Sequence, residues 1–218
     1  MLNFLARYSE YLYLLPAIIV SLTLHEFAHA WIAARLGDPT PKETGRLSLN
    51  PLRHIDPFGF IVMLLARFGW AKPVQVNPLY FKNPRKGMMI TALAGPIMNL
   101  ALCLISSLLM FFSIAFGWPD FLYYFFVYMV YLNVALAVFN LIPVHPLDGS
   151  RVMTYFFPRY ANFMMRYGQY VQIAFILLLV LPEFFSVFDI ISNLISMVQV
   201  GTMRGLLNLW ILLFGFML

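Results

Sequence analysis

Long apolar runs alternate with short polar connections along this chain, and several runs match the thickness of a bilayer. The first extends from about Tyr11 to Ala34 and is closed by Arg35-Leu36-Gly37-Asp38-Pro39, a cation, a permissive glycine and a proline that together stop a helix. A second covers about Met88 to Phe116, and after the turn Gly117-Trp118-Pro119-Asp120 a third runs from about Phe121 to Ile142. A fourth, about Tyr170 to Leu181, reaches spanning length when its flanks from Gly168 join it. Phe58 to Phe68 is apolar but too short to cross as a helix and reads as a re-entrant or interfacial piece. From Phe184 to Leu218 two apolar stretches meet at Gly201-Thr202-Met203-Arg204-Gly205, which predicts a bend or a surface-lying segment. The pattern therefore predicts an all-α polytopic membrane protein of four to six membrane segments, organised as one domain over residues 1–218. Lys72 to Val76 alternates polar and apolar residues between prolines, as either a short membrane-associated edge strand or a plain polar loop does.

Composition agrees. Apolar residues make up 62% of the 218 and charged residues 11%, too little polar surface to cover a water-soluble globule. The net charge of +5 raises nucleic acid as a partner, but nine of the fourteen cations lie between Arg35 and Gly87 and no aromatic-basic recognition motif accompanies them. Positive-inside topology accounts for them, and nucleic acid is not expected. The basic segments, 37–86 and 146–167, are then cytoplasmic and the N-terminus external. The single cysteine, Cys103, excludes an internal disulfide framework and a cysteine-based zinc site.

Chemistry enters with His25-Glu26-Phe27-Ala28-His29, an HExxH pattern inside the first apolar run. Two histidines four residues apart share one helix face and can both reach a Zn²⁺, while the Glu between them can act as general base toward a metal-bound water. A chance match in a chain of this composition is about one in a thousand. Three ionisable groups on one helical turn in hydrocarbon are costly, and a divalent cation satisfies them together. With the stated orientation the histidines lie on the order of 9 to 15 Å below the cytoplasmic surface.

A hydrolytic zinc site takes three protein ligands and keeps the fourth position open. The third run ends in Asn140-Leu141-Ile142-Pro143-Val144-His145-Pro146-Leu147-Asp148-Gly149, where prolines halt the helix and make Asp148 a candidate third ligand; the other reading is an interfacial Asp-Gly turn. His145 is a weaker candidate, and His54, among Asn-Pro and Asp-Pro neighbours, reads as a structural hydrogen-bonder.

HEFAHA together with the Asn-x-x-Pro-x-x-x-Leu-Asp-Gly pattern closing the third run resembles the site-2 protease family of zinc intramembrane proteases. Ala94-Gly95-Pro96-Ile97-Met98-Asn99 resembles that family's Gly-Pro-x-x-Asn element, and the strings Asn50 to Gly59 and Gly69 to Pro78 resemble its small bacterial members without PDZ or CBS domains. The resemblance implies one zinc per chain held by His25, His29 and Asp148, Glu26 as general base, and Asn140 and Asn99 as oxyanion or substrate-binding candidates. Asparagines in spans also join helices by hydrogen bonds. It further implies a transmembrane protein as substrate and a bacterial cytoplasmic membrane as location, while the loop charges put the active site toward the cytoplasmic side. His145 departs from it, standing where members often carry a second proline. The competing classes are a metal-binding transporter, whose ligands would be distributed along a path through several spans, and a silent scaffold, which needs no Glu26.

Overall fold

The computed structural model describes the backbone of residues 2–59, 61, 71–180 and 187–217. Helices dominate it: α1 (Leu2–Arg35), the short α2 (Thr40–Glu43), α3 (Pro84–Ala115), α4 (Asp120–Asn140), α5 (Asp148–Phe156), α6 (Pro158–Val180) and α7 (Val187–Phe214). The helix boundaries follow local chemistry. Asn83 caps α3 by accepting from the Lys86 N–H at 3.1 Å, with Pro84 at the first helical position, and Gly117 at a φ of 61° takes the left-handed conformation just past the end of the same helix.

Among the described residues four segments are long and apolar enough to cross a bilayer: Tyr13–Arg35, Pro84–Ala115, Asp120–Asn140 and Ile191–Met217. The protein is an all-α integral membrane protein. The fourth of these is not the run around Tyr170. That run continues α6, whose first half carries Arg159 and Arg166 and lowers its apolarity, whereas α7 passes through Gly201 and Gly205 as one helix with no break. Glycines inside an apolar helix need not bend it when nothing presses on them. The apolar piece Phe58 to Phe68 lies largely outside the described residues.

Helix α3 is the organising element, packing against α1, α4, α5 and α7, while α6 is more peripheral, meeting α5, α7 and, through Phe175, Phe139 of α4 and Leu147. Cys103 and Met110 of α3, Val130 and Val134 of α4 and Met203 of α7 form the main apolar cluster. Polar groups inside the bundle are tied across helices: the Asn133 amide donates to the Ser21 hydroxyl at 2.8 Å, and the Trp210 indole donates to the Ser107 hydroxyl at 2.9 Å.

No strand forms among the described residues; β contact is confined to an isolated antiparallel bridge between Ile55 and Ala71. Lys72 to Val76 is instead a strap held at both ends. The Lys72 N–H donates to the His54 carbonyl at 2.7 Å and its carbonyl accepts from the Arg46 guanidinium at 3.3 Å, while the Asn77 N–H donates to the buried Asp38 carboxylate at 2.7 Å. His54 is fully buried, and its Nε2 pairs with the Ser48 carbonyl at 2.7 Å.

Candidate metal centre

Helical periodicity stacks His25 and His29 on the face of α1 that meets α3. Their rings meet edge to face, with Nε2 atoms 3.1 Å apart. His29 is oriented by its Nδ1, which lies 2.7 Å from the Thr91 carbonyl of α3, so that Nε2 points away from that bond. One turn further along α3 is Gly95, where an added Cβ would stand 2.4 Å from His29 Nε2, 2.4 Å from His25 Cε1 and 2.7 Å from His25 Nε2. The two positions act as a unit: Thr91 fixes the ring and Gly95 leaves room for it. Pro96 follows and removes the N–H that would otherwise bond to the Ala92 carbonyl.

Asp148 arrives from the other side. The chain leaves α4 at Asn140, turns through residues 141–147 with the Leu147 N–H donating to the Val144 carbonyl at 2.8 Å, and starts α5 with Asp148 in its first turn. Gly149 permits this tight return, because a Cβ there would lie 2.2 Å from the Leu141 carbonyl oxygen. The carboxylate Oδ2 then stands 3.5 Å from His25 Nε2 and 3.3 Å from His29 Nε2.

These separations test the fit to a metal. A tetrahedral zinc with N and O ligands at about 2.0 to 2.1 Å has ligand-to-ligand edges of about 3.3 Å. The observed 3.1, 3.3 and 3.5 Å match such a face. Asp148 Oδ2 is also buried without a hydrogen bond of sound geometry, an orphan that a cation would satisfy. The donor set suits zinc.

Glu26 lines the same cavity of about 120 Å³, together with His25, His29, Pro73, Val74, Val76, Asn140, Pro146, Asp148 and Arg151. Its Oε2 accepts from the Val74 N–H of the strap at 3.1 Å. Asn140 reaches the cavity but commits one amide N–H to the Leu136 carbonyl at 2.9 Å. Asn99 is not one of the walls; it is fully buried, with neither side-chain atom partnered among the described residues. His145 stays outside the histidine-aspartate group. Burial and then the nearby Arg151 charge push its imidazole below the usual range, against a partial rise from a hydrogen bond with Gln172.

Arg151, Val74, Thr91 and Gly95 have no chemical role in the sequence reading. For Arg151 a signal existed: three residues after Asp148 on one helix, it shares that residue's face. Val74 and Thr91 act through backbone groups, which leave no mark on the residue type.

The arrangement is that of a membrane-embedded metallohydrolase site. The family model for peptidase family M50 matches residues 119–181. YwhC of Bacillus subtilis (strain 168) is 42% identical over 177 residues, covering 78% of this chain and 81% of that protein. Rip2 of Mycolicibacterium smegmatis (strain ATCC 700084 / mc(2)155) is 34% identical over 139 residues, 60% of this chain and 52% of its own length. MJ0392 of Methanocaldococcus jannaschii is 26% identical over 137 residues, 62% of this chain and 32% of that protein. All three names include the words zinc metalloprotease. No solved structure matches. The chain belongs to peptidase family M50, the site-2 protease family, and is a zinc metalloprotease of that type.

Proposed function

We propose that the protein is an intramembrane endopeptidase that hydrolyses peptide bonds in or near transmembrane segments of membrane proteins, working as one domain with one zinc per chain held by His25, His29 and Asp148. The observation that carries this reading is the convergence of those three ligands with Glu26 on one cavity inside the helical bundle. Zinc bound there supplies Lewis acidity for the scissile carbonyl and for the attacking water.

The protein groups divide the remaining work. Glu26 accepts a proton from the attacking water and passes it to the leaving amine as the C–N bond breaks. Its Oε2 is held by the Val74 N–H, which leaves Oε1 for proton transfer. Charge that builds on the carbonyl oxygen needs fixed donors. Asn140 has one amide N–H left, and Arg151 has a guanidinium with no hydrogen bond or ion pair among the described residues, so Arg151 is the stronger donor to that oxygen. An unpaired, half-buried guanidinium beside a catalytic cavity is costly without such a task.

A peptide bond inside a transmembrane helix is locked in its own hydrogen-bond ladder, so the substrate must unwind before attack. The strap offers an alternative partner. The backbone N–H groups of Gln75 and Val76 have no partner among the described residues, and an extended substrate segment pairs with them beside Glu26. The concentration of Lys and Arg in the segments at this end of the bundle supports a cytoplasmic orientation for it.

The test is cleavage of single-span membrane proteins by wild-type and Glu26→Gln enzyme in reconstituted bilayers. Glutamine keeps size and the Val74 contact but cannot take the proton, so the rate should fall by about 10² to 10⁴. Undiminished cleavage would overturn the assignment of Glu26, and cleavage confined to soluble loops far from the bilayer would overturn the intramembrane reading.

A further inference from the structure

A second cavity, of about 390 Å³, lies where the end of α1 meets the start of α3, away from the histidine-aspartate group. Its lining sets three cations, Arg35, Lys82 and Lys86, against an apolar wall of Leu36, Phe81 and Ile90. No acid belongs to the lining. Among the described residues none of the three cations forms an ion pair, since the salt bridges present involve only His25, His29 and Asp148. The nearest acid in sequence, Asp38, is buried and occupied by the Thr40 and Asn77 N–H groups.

Positive-inside topology explains why cations occur in this connection, but not why three of them converge on one concave site without a counter-charge. Like charges gathered in this way repel, and an anion relieves the repulsion. The α3 N-terminus adds to the positive field, because the dipole of a 32-residue helix ends there. Leu36, Phe81 and Ile90 supply an apolar side, so the occupant is amphiphilic rather than a free inorganic anion. Both helix ends belong to bilayer-crossing segments, which puts the cavity at the polar boundary of the membrane. Exposed Trp31, with the Arg35 guanidinium 5.0 Å above its ring, is a side chain suited to that boundary.

We infer that this cavity is a headgroup site for an anionic phospholipid. The phosphate meets Arg35, Lys82 and Lys86, and the glycerol and upper acyl carbons lie against Leu36, Phe81 and Ile90. A zwitterionic lipid is disfavoured because its ammonium group would enter the same positive field. The wall is preformed: the Phe81 ring packs on the bare backbone of Gly87, where a Cβ would stand 2.3 Å from the ring. Gly87→Ala therefore drives the ring out of place and alters the cavity without touching its charge.

The experiment uses the full chain in mild detergent, with native mass spectrometry counting retained lipid after titration with phosphatidylglycerol or with phosphatidylcholine of identical acyl chains. Phosphatidylglycerol should be retained at least ten-fold better. Each cation removed should weaken retention about five-fold, and Arg35→Gln/Lys82→Gln/Lys86→Gln together about 10². Lys82→Arg/Lys86→Arg should keep binding and Gly87→Ala should weaken it, with zinc content and thermal unfolding confirming that each variant is folded. Equal retention of the two lipids, or an unaffected triple variant, would overturn the inference. Competition by soluble glycerol 3-phosphate at the lipid's own concentration would reduce the site to a phosphate site and overturn its lipid character.

Discussion

Helices α1 and α7 are both apolar enough to cross a bilayer, yet half of the most apolar window of α1 is buried inside the bundle against 11% of that of α7. The contrast is sharpest at their glycine contacts. Gly95, which faces α1, has two imidazoles where a Cβ would go, while Gly201 and Gly205 of α7 have nothing within 4 Å. Hydrophobicity alone places a helix in the membrane; what surrounds its small residues separates a helix that builds a site from one that faces lipid. The candidate metal ligands and Glu26 follow the same division. They sit on α1 and α5, where α3 supplies an acceptor for His29 and clearance for both rings.

This difference is open to attack by substitution. Gly95→Ala should have the largest effect on metal binding, because the methyl group displaces rings that cannot retreat while His29 is tied to Thr91. Zinc affinity should fall about 10- to 100-fold, as for other losses of ligand support, and peptide hydrolysis with it, measured by zinc titration against a competing chelator. Unchanged affinity would mean that the rings have slack that the packing denies.

Arg151→Gln should come next. Loss of a guanidinium that meets developing charge should lower kcat by about 10² with KM within roughly three-fold and zinc content unchanged, and Arg151→Lys should recover part of the loss. A rise in KM alone would assign Arg151 to substrate binding instead. Gly201→Ala should do least. In open space on a helix an added methyl costs nothing sterically and favours the helix by roughly 0.5 to 1 kcal/mol, so thermal stability should rise slightly and cleavage stay the same. A large loss of activity there would show that α7 does more than face lipid.

Much of the interior was legible in the sequence. The HExxH spacing is itself a statement of helix geometry, and the proline-rich ending of the third apolar run announced the return that brings Asp148 back to α1. Gly95 and Gly149 stood out as motif residues, but their reason is steric and needed the neighbouring helix to be seen. The periphery was read less well. Apolar length could not rank Tyr170 to Leu181 against the C-terminal stretch, since the two differ in flanking cations and in continuity through Gly201 and Gly205. Alternation at Lys72 to Val76 left an edge strand and a plain loop open, and bonds to His54, Glu26 and Asp38 hold the segment as a strap with no strand beside it among the described residues. Distant partners of this kind carry no local signature. Asn99 shows the converse: its motif suggested the site, and it lies fully buried one turn beyond Gly95 on α3, outside the cavity walls.

One zinc held by His25, His29 and Asp148 beside Glu26 is what the proposed function requires. Elemental analysis of purified wild-type, Glu26→Gln and His25→Ala/His29→Ala protein, each verified as folded by thermal unfolding, addresses it directly. About one zinc per chain is expected in the first two and almost none in the third, because the aspartate alone cannot retain the metal. A folded His25→Ala/His29→Ala protein that kept its full zinc would contradict it.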